Sequence, residues 1–502
     1  MTGYAVVMPT LGRPCLTRAL ASLAATSGPP PARIVLVDDR RDGGAPLPVP
    51  AALDGRVTVV VAGGLGPAGA RNLGWRCTAT PWVVFLDDDV LVGAAWRDEL
   101  AADLAGAPAD VAGVQGRVAV PLPGDRRPTD WERNTAGLAR ARWITADMAY
   151  RRAALVEAGG FDERFPRAFR EDADLALRVL ADGWRLTRGR RRTEHPVRPA
   201  GPWVSVRVQA GNADDVLMRR LHGRDWYERA GEVRGRRGRH LAIVGAGAAA
   251  LALGAAGRRR AAAVAAGLAV AGVAEFAVAR VRPGPRTPRE IATMLVTSVA
   301  IPPAATWHRL RGLVRHRAAA PWPPPPRAVL FDRDGTLVRD VPYNCDPAKV
   351  EPMPGAREAL DAARALGLRT GVVSNQSGIA RGLLTRAQAE AVNRRVEELL
   401  GPFDVWEMCP HGPGDGCACR KPAPGMVLTA ASRLGAAPHE CAVLGDIAAD
   451  VAAAHAAGAR AVLIPTPETL PGERSGTRRA TDLRHAIRLL LNSTSTPIWP
   501  IE

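Results

Sequence analysis

Lysine is nearly absent from this chain of 502 residues. Of 67 basic side chains only Lys349 and Lys421 are lysine, and the rest are arginine. That skew, like the abundance of Ala, Gly and Pro, reflects GC-rich coding, and it makes a lysine inside a motif conspicuous. Cysteine is also scarce: seven residues, an odd number, do not read as a disulfide framework. Met1 to Thr10 lack a basic segment followed by an apolar run, so no secretory signal is expected, and the chain is expected to stay in the reducing cytoplasm. Aromatic residues make up 5% of the chain and no nucleic-acid motif accompanies its basic surplus, so nucleic acid is not an expected partner. A charged fraction of 23% and a hydrophobic fraction of 47% exclude a wholly disordered chain and a polytopic membrane protein.

What is present is unevenly placed. The formal net charge is +17, and +12 of it falls within residues 231–320, where 15 arginines face Glu232, Glu275 and Glu290. The length suggests about three domains. Prolines between Ala318 and Arg327 disfavour helix and central strand and mark a spacer. Residues 1–230 alternate apolar runs (Val6–Met8, Ile34–Val37, Val57–Val61, Trp82–Leu86) with amphipathic stretches, which predicts an α/β domain with a mostly parallel sheet. Residues 328–467 repeat the pattern, with strands at 328–331, 370–373, 442–444 and 461–464. Residues 231–317 read as a basic helical connector, and 468–502 as a terminal helix and tail.

Ligands of open α/β sheets gather at the carboxyl ends of strands. In the first domain those ends carry Thr10 and Arg13, then Asp38 and Asp39, then Asp87, Asp88 and Asp89. Three aspartates after an apolar strand need a cation or solvent, and oxygen ligands suit Mg²⁺ or Mn²⁺ facing a diphosphate. The segment Gly66–Gly74 places Arg71 near a helix start, suited to phosphate. Further on come Asp147 in Ile144–Arg152, the stretch Gly159–Phe165, and Glu171-Asp172 opening a helix. With these five segments in order, residues 1 to about 225 resemble a family 2 glycosyltransferase of the Rossmann-like GT-A fold. The resemblance implies an inverting enzyme with a nucleotide-sugar donor and a glycan or small-molecule acceptor. It places Thr10, Arg13 and Asp39 (or Asp38) in the nucleotide pocket, Arg71 near the diphosphate, and Asp87, Asp88 and Asp89 at the donor and its metal. Asp172 would be the general base. His195 either completes the metal site or is structural.

In the connector, Leu241–Gly257 is uncharged, Arg258–Arg260 follow, and Ala261–Ala279 is broken only by Glu275. Seventeen helical residues span ~25 Å, short of a bilayer core of ~30 Å, and the tip arginines oppose the positive-inside tendency. The expectation is a packed helical pair or a peripheral anchor on an anionic membrane, at the inner face of the plasma membrane, rather than a spanning hairpin. Ile291–Ala300, ahead of Pro302 and Pro303, is a third such segment.

The last domain opens with Asp332 and Asp334 directly after a strand, then Ser374-Asn375-Gln376 ending another, then Arg420-Lys421-Pro422, then Asp446 with Asp450 behind it. Paired carboxylates let one attack phosphorus while the other moves protons, and Lys421 supplies a cation. This order resembles the haloacid dehalogenase (HAD) superfamily, a Rossmann-like fold. The resemblance implies Asp332 as nucleophile and Asp334 as general acid/base. It also implies Mg²⁺ on Asp332, Asp446 and the Asp334 carbonyl, phosphoryl oxygens held by Ser374, Asn375 and Lys421, and a supporting or capping role for Asp450. Motif spacing leaves no room for a large cap. Cys409, His411, Cys417 and Cys419 form a complete tetrahedral Zn²⁺ set with no open position, so a structural zinc loop is expected. With Gln376–Gly382, this resembles the D-glycero-D-manno-heptose 1,7-bisphosphate phosphatases and the related histidinol-phosphate phosphatases. Arg381 and Arg420 would grip a second phosphate or a sugar hydroxyl, and Tyr343 and Asn344 shape the entrance. The expectation is a bifunctional enzyme. Histidinol phosphate or another phosphomonoester remains an alternative substrate, as does a non-catalytic zinc-clipped scaffold.

Overall fold

A computed structural model of the chain describes residues 3–474 and 478–491; the remainder of the expected tail lies outside the described residues. The first domain is an eight-stranded sheet built from β1 (Tyr4–Thr10), β2 (Arg33–Asp38), β3 (Val57–Val61), β4 (Trp82–Leu86), β5 (Leu91–Val92), β6 (Val111–Ala119), β7 (Asp147–Arg151) and β8 (Arg185–Glu194). Its order is β3-β2-β1-β4-β7-β6-β8-β5. The four strands visible in the sequence are the parallel half. β1, β2 and β4 are apolar because both of their faces are buried, whereas β3, at the sheet edge, leaves Val59 and Val61 exposed. β7 then runs antiparallel to β4 and to β6. β8 escaped the sequence reading because arginine fills it. Gly189, Arg191 and Thr193 point inward, alternating with exposed Arg188, Arg190 and Arg192. Arg191 is buried against Asp147 at 2.7 Å and Asp103 at 3.2 Å.

The second domain is a five-stranded parallel sheet of β9 (Ala328–Phe331), β10 (Arg369–Asn375), β11 (Val405–Cys409), β12 (Cys441–Gly445) and β13 (Arg460–Leu463), ordered β11-β10-β9-β12-β13. β11 is the strand the sequence reading lacked. Helix Leu483–Leu490 inserts Leu483, Ala486, Ile487 and Leu490 into this core, so the domain continues past 467 to Leu490. Between the domains lie helices Arg237–Ala255, Arg259–Val281 and Pro288–Arg315. Pro302 and Pro303 sit inside the third rather than ending a shorter segment.

The two domains touch directly. Trp322 Nε1 donates to the Gly159 carbonyl at 3.0 Å, and Arg164 Nη1 to the Ala320 carbonyl at 2.6 Å, so the proline spacer lies on the first domain. Beside it, the Arg152 guanidinium donates to the His455 carbonyl across the junction. Trp184 Nε1 donates to Glu157 Oε2 at 2.8 Å, and His455 Nε2 lies 3.4 Å from Glu157 Oε1. Burial lifts the Glu157 carboxyl to about 8 and lowers His455 to about 4, so both are neutral around pH 6. A carboxyl raised above its unfolded value costs stability as pH rises between the two values. The lowered His455 contributes the opposite slope up to about pH 6.5, so the loss emerges from pH 6.5 to 7.5, where the native chain should lose on the order of 1 kcal/mol per pH unit at this site. Glu157→Gln keeps the acceptor for Trp184 and should flatten that slope; an unchanged Tm–pH slope would refute the assignment.

Candidate active sites

In the first sheet β1 lies between β2 and β4, which opens a crevice at their carboxyl ends. Thr10 Oγ1 donates to Asp88 Oδ2 at 2.7 Å and accepts from the Gly12 amide at 3.0 Å, while Arg13 Nη1 lies 3.8 Å from Asp88. Asp38 pairs with Arg40 at 2.6 Å, which holds its carboxyl below the ordinary range. Asp39 accepts from the Gly64 and Gly66 amides, both at 3.0 Å, and so ties down the loop before helix Gly66–Arg76. On that helix Arg71 is buried, donating to Glu171 Oε1 at 2.8 Å and Asp87 Oδ1 at 2.9 Å. One cation thus links the triple-aspartate loop to helix Glu171–Ala181, which carries Asp172. Burial, then the neighbouring Glu171, raise Asp172 to about 7.

Ligand atoms of Asp87, Asp89 and His195 lie within 4.8 Å of one another. Burial, then the charge of Asp87, raise the Asp89 carboxyl, and a divalent cation would relieve both causes. These residues fit a metal, and His195 joins the set. Arg198 Nε, 2.9 Å from Asp89 Oδ2, shares that carboxylate.

In the second sheet the crevice opens around β9, between β10 and β12. Lys421, buried, ion-pairs with Asp332 and with Asp450 Oδ1 at 2.5 Å, and donates to the Val373 carbonyl at 2.9 Å. Burial pushes the Asp332 carboxyl well up, and Lys421 opposes that shift. Asp450 also accepts from the Ile447 amide at 3.3 Å, so it both supports the site and caps a helix. Asp334 is gripped by Arg333 at 2.9 and 3.0 Å and by Gln376 Nε2 at 2.8 Å, and the same amide donates to Ser374 Oγ at 2.9 Å. Gly335 has φ +79°, and a Cβ there would meet Asp446 Oδ2 at 2.4 Å, so only glycine lets the chain turn beside that carboxylate. Burial, then Asp450, raise Asp446 to about 7. A carboxyl so starved of counter-charge fits a cation shared with Asp332.

Cys409 Sγ lies 3.7 Å from Cys417 Sγ and 3.3 Å from Cys419 Sγ, and His411 Nδ1 lies 3.5 and 3.3 Å from Cys409 and Cys419. A tetrahedron with metal–sulfur bonds near 2.3 Å has edges of ~3.8 Å, so the four residues fit one ion. The clip ends two residues before Lys421. Asn375 completes the hold, accepting from the Lys421 amide at 3.1 Å and donating to its carbonyl at 3.2 Å.

Residues 344–458 match the family model for haloacid dehalogenase-like hydrolases, and residues 5–165 that for glycosyl transferase family 2. The chain is 36% identical over 154 residues to D-glycero-beta-D-manno-heptose-1,7-bisphosphate 7-phosphatase of Pseudomonas putida, covering 30% of this chain and 86% of the relative. The chain belongs to the haloacid dehalogenase-like hydrolases. Its first domain is a family 2 glycosyl transferase. The HAD domain is also 33% identical over 156 residues to the D-glycero-alpha-D-manno-heptose-1,7-bisphosphate 7-phosphatase of Mycobacterium tuberculosis, over 30% of this chain and 80% of that one. The crystal structure of D,D-heptose 1,7-bisphosphate phosphatase from Bordetella bronchiseptica, with magnesium and phosphate, is 33% identical, with a TM-score of 0.31, and covers 33% of this chain and 98% of its own. The protein is thus a bifunctional enzyme, transferase and phosphatase in one chain.

The structure gathers most of the residues expected from the sequence into the two crevices, and its contacts redistribute some of their roles. Both terminal nitrogens of Arg71 are taken by Asp87 and Glu171, so it braces the transferase crevice instead of reaching freely for a diphosphate. Asn375 spends its amide on the Lys421 backbone. Arg420 Nη1 donates to the His411 carbonyl at 3.2 Å, and Arg381 Nη1 to the Tyr343 hydroxyl at 2.6 Å, at the rim of the HAD site. Arg333, Gln376 and Arg198 have no role in the sequence-based expectation, although Gln376 closes the Ser374-Asn375-Gln376 stretch. Because the clip positions the lysine loop, metal analysis of the pure chain should return one ion that Cys417→Ser loses, with Tm falling by at least ~5 °C. Full metal content in the variant would contradict the clip.

Proposed function

We propose that the phosphatase removes the 7-phosphate of a D-glycero-D-manno-heptose 1,7-bisphosphate. The observation that carries this reading is the match to relatives of that name across most of their length, combined with a complete catalytic set around Asp332. In this reading Asp332 attacks phosphorus, forming an acyl phosphate as the bond to the sugar oxygen breaks. Asp334 gives that oxygen its proton, then takes one from the water that releases phosphate and regenerates Asp332. Ser374 and Lys421 hold phosphoryl oxygens, and Gln376 aligns Ser374 with Asp334. Asp332, Asp446 and the Asp334 carbonyl would hold Mg²⁺, which would supply positive charge against the incoming phosphate. Zn²⁺ is the ion suited to the Cys₃His clip, where it is structural. Arg381 and Tyr343 face the distal end of the substrate.

In the transferase, Asp172 takes the acceptor hydroxyl's proton; Asp87, Asp89 and His195 would hold Mg²⁺ or Mn²⁺, which would supply positive charge for the donor diphosphate. A base raised to about 7 suits this role near neutrality. Nucleotide sugars and heptose phosphates both place the catalytic domains in the cytoplasm. A pathway to a heptose-containing glycan would use both activities.

Phosphate release by the full chain with Mg²⁺ should be fastest on heptose 1,7-bisphosphate, with the two anomers separated by the assay. Asp332→Asn should lower it at least ~1000-fold. Faster release from histidinol phosphate would overturn the heptose reading. For the transferase, donor hydrolysis should vanish in Asp89→Ala; survival would remove the metal assignment.

A further inference from the structure

The connector is the least explained part of the molecule. Helices Arg237–Ala255 and Arg259–Val281 pack antiparallel against each other, yet the first buries no residue and the second buries four. Leu241, Leu251, Val264, Leu268, Val270 and Val278 are each more than half exposed. A continuous apolar surface of this kind is foreign to a soluble monomer. Within these helices of 19 and 23 residues the runs Leu241–Ala255 and Ala261–Ala279 rise ~22 and ~28 Å, and a hydrocarbon core of ~30 Å accommodates the shorter one by thinning locally while the flanking arginines snorkel.

Against what whole-chain composition and the uncharged runs suggest, we infer that these two helices form a hairpin that crosses a lipid bilayer, rooted on the side that holds both catalytic domains. An amphipathic helix lying in the membrane plane needs a polar face. From Leu241 to Gly257 there is no polar side chain at all, and from Ala261 to Ala279 there is only Glu275. That carboxylate sits near the root and pairs with Arg236 at 2.9 Å and Arg239 at 2.8 Å, so it enters the hydrocarbon region neutralised. Apolar side chains on every face call for apolar surroundings on every side. The charge at the two ends agrees. The root carries Arg234, Arg236, Arg237, Arg239, Arg280, Arg282, Arg286 and Arg289, against Arg258–Arg260 at the tip, so the positive-inside bias places the root and the catalytic domains on the cytoplasmic side. The tip arginines reach the far headgroups by their long stems.

The third helix continues the surface. Leu295, Val299, Trp307, Leu310 and Val314 form one exposed stripe ~120° wide, opposite the face that buries Met294, Ile301, Ala305 and Gly312 against the transferase. A stripe with tryptophan, flanked by arginines, fits the headgroup layer of an anionic leaflet. Arg280 fastens the root to the body, donating to Asp130 at 2.7 Å, Thr297 at 2.8 Å and Ser298 at 3.1 Å.

The test expresses the full chain in bacteria and washes the membranes with high salt and then alkaline carbonate. The native chain should stay in the pellet through both washes. The double variant Leu251→Arg, Leu268→Arg, at exposed positions, should drop membrane retention at least ~10-fold while phosphate release per folded chain is unchanged. Release of the native chain by salt alone would show surface adsorption and overturn insertion. A soluble native chain that runs as a dimer would show that a second copy covers the hairpin, and would overturn it equally. Detergent-solubilised native protein should also reinsert into vesicles of pure phosphatidylcholine, which an electrostatic contact would not do.

Discussion

Asp332 and Asp334 in one site, and Asp87 and Asp89 in the other, follow buried strands, and an unpaired charge in such a place is costly. The structure answers in each site with a buried cation that bridges two carboxylates, and Arg333 adds a second at Asp334. Lys421 lies between Asp332 and Asp450, and Arg71 lies between Asp87 and Glu171. Removing one partner of such a pair costs roughly 3–5 kcal/mol because the other charge is left stranded. Each cation is therefore both a brace and an electrostatic setting. Lys421 restrains the rise that burial imposes on Asp332, and Arg71 ties the base helix to the metal loop.

Much of the surrounding architecture serves these two cations. The cysteine–histidine clip and Asn375 fix the loop of Lys421 from both sides. Asp39 fixes the loop that leads into the helix of Arg71. Where the two domains meet, the opposite solution is used: Glu157 and His455 are both held neutral, so no ion pair has to be desolvated. The connector gathers arginine at its root, where Asp130 and Glu275 balance part of it.

The parallel strands and their terminal aspartates were legible in the sequence because strands buried on both faces are written as unbroken apolar runs. β8 was not, since its inward residues are Gly189, Arg191 and Thr193, and only the pairing of Arg191 with Asp147 explains an arginine there. The cysteine clip was legible from residue type and spacing alone. Arg71 was legible as a cation near the crevice, but its partner Glu171 lies 100 residues away, and no local pattern encodes that contact. Helix Leu483–Leu490 belongs to the second core for the same reason: its docking against Ala356–Ala365 is long-range. Gln376 bridges Ser374 and Asp334 through side-chain geometry that spacing cannot express.

The central claim is that Asp332, counter-charged by Lys421, is the group that becomes phosphorylated. Acid-quenching the full chain during turnover of heptose bisphosphate and mapping its peptides by mass spectrometry tests this directly. The account predicts a transient phosphoryl group on the peptide at Asp332, absent from Asp332→Asn. Continued hydrolysis with no modified Asp332, or with the phosphoryl group on another residue, would contradict it.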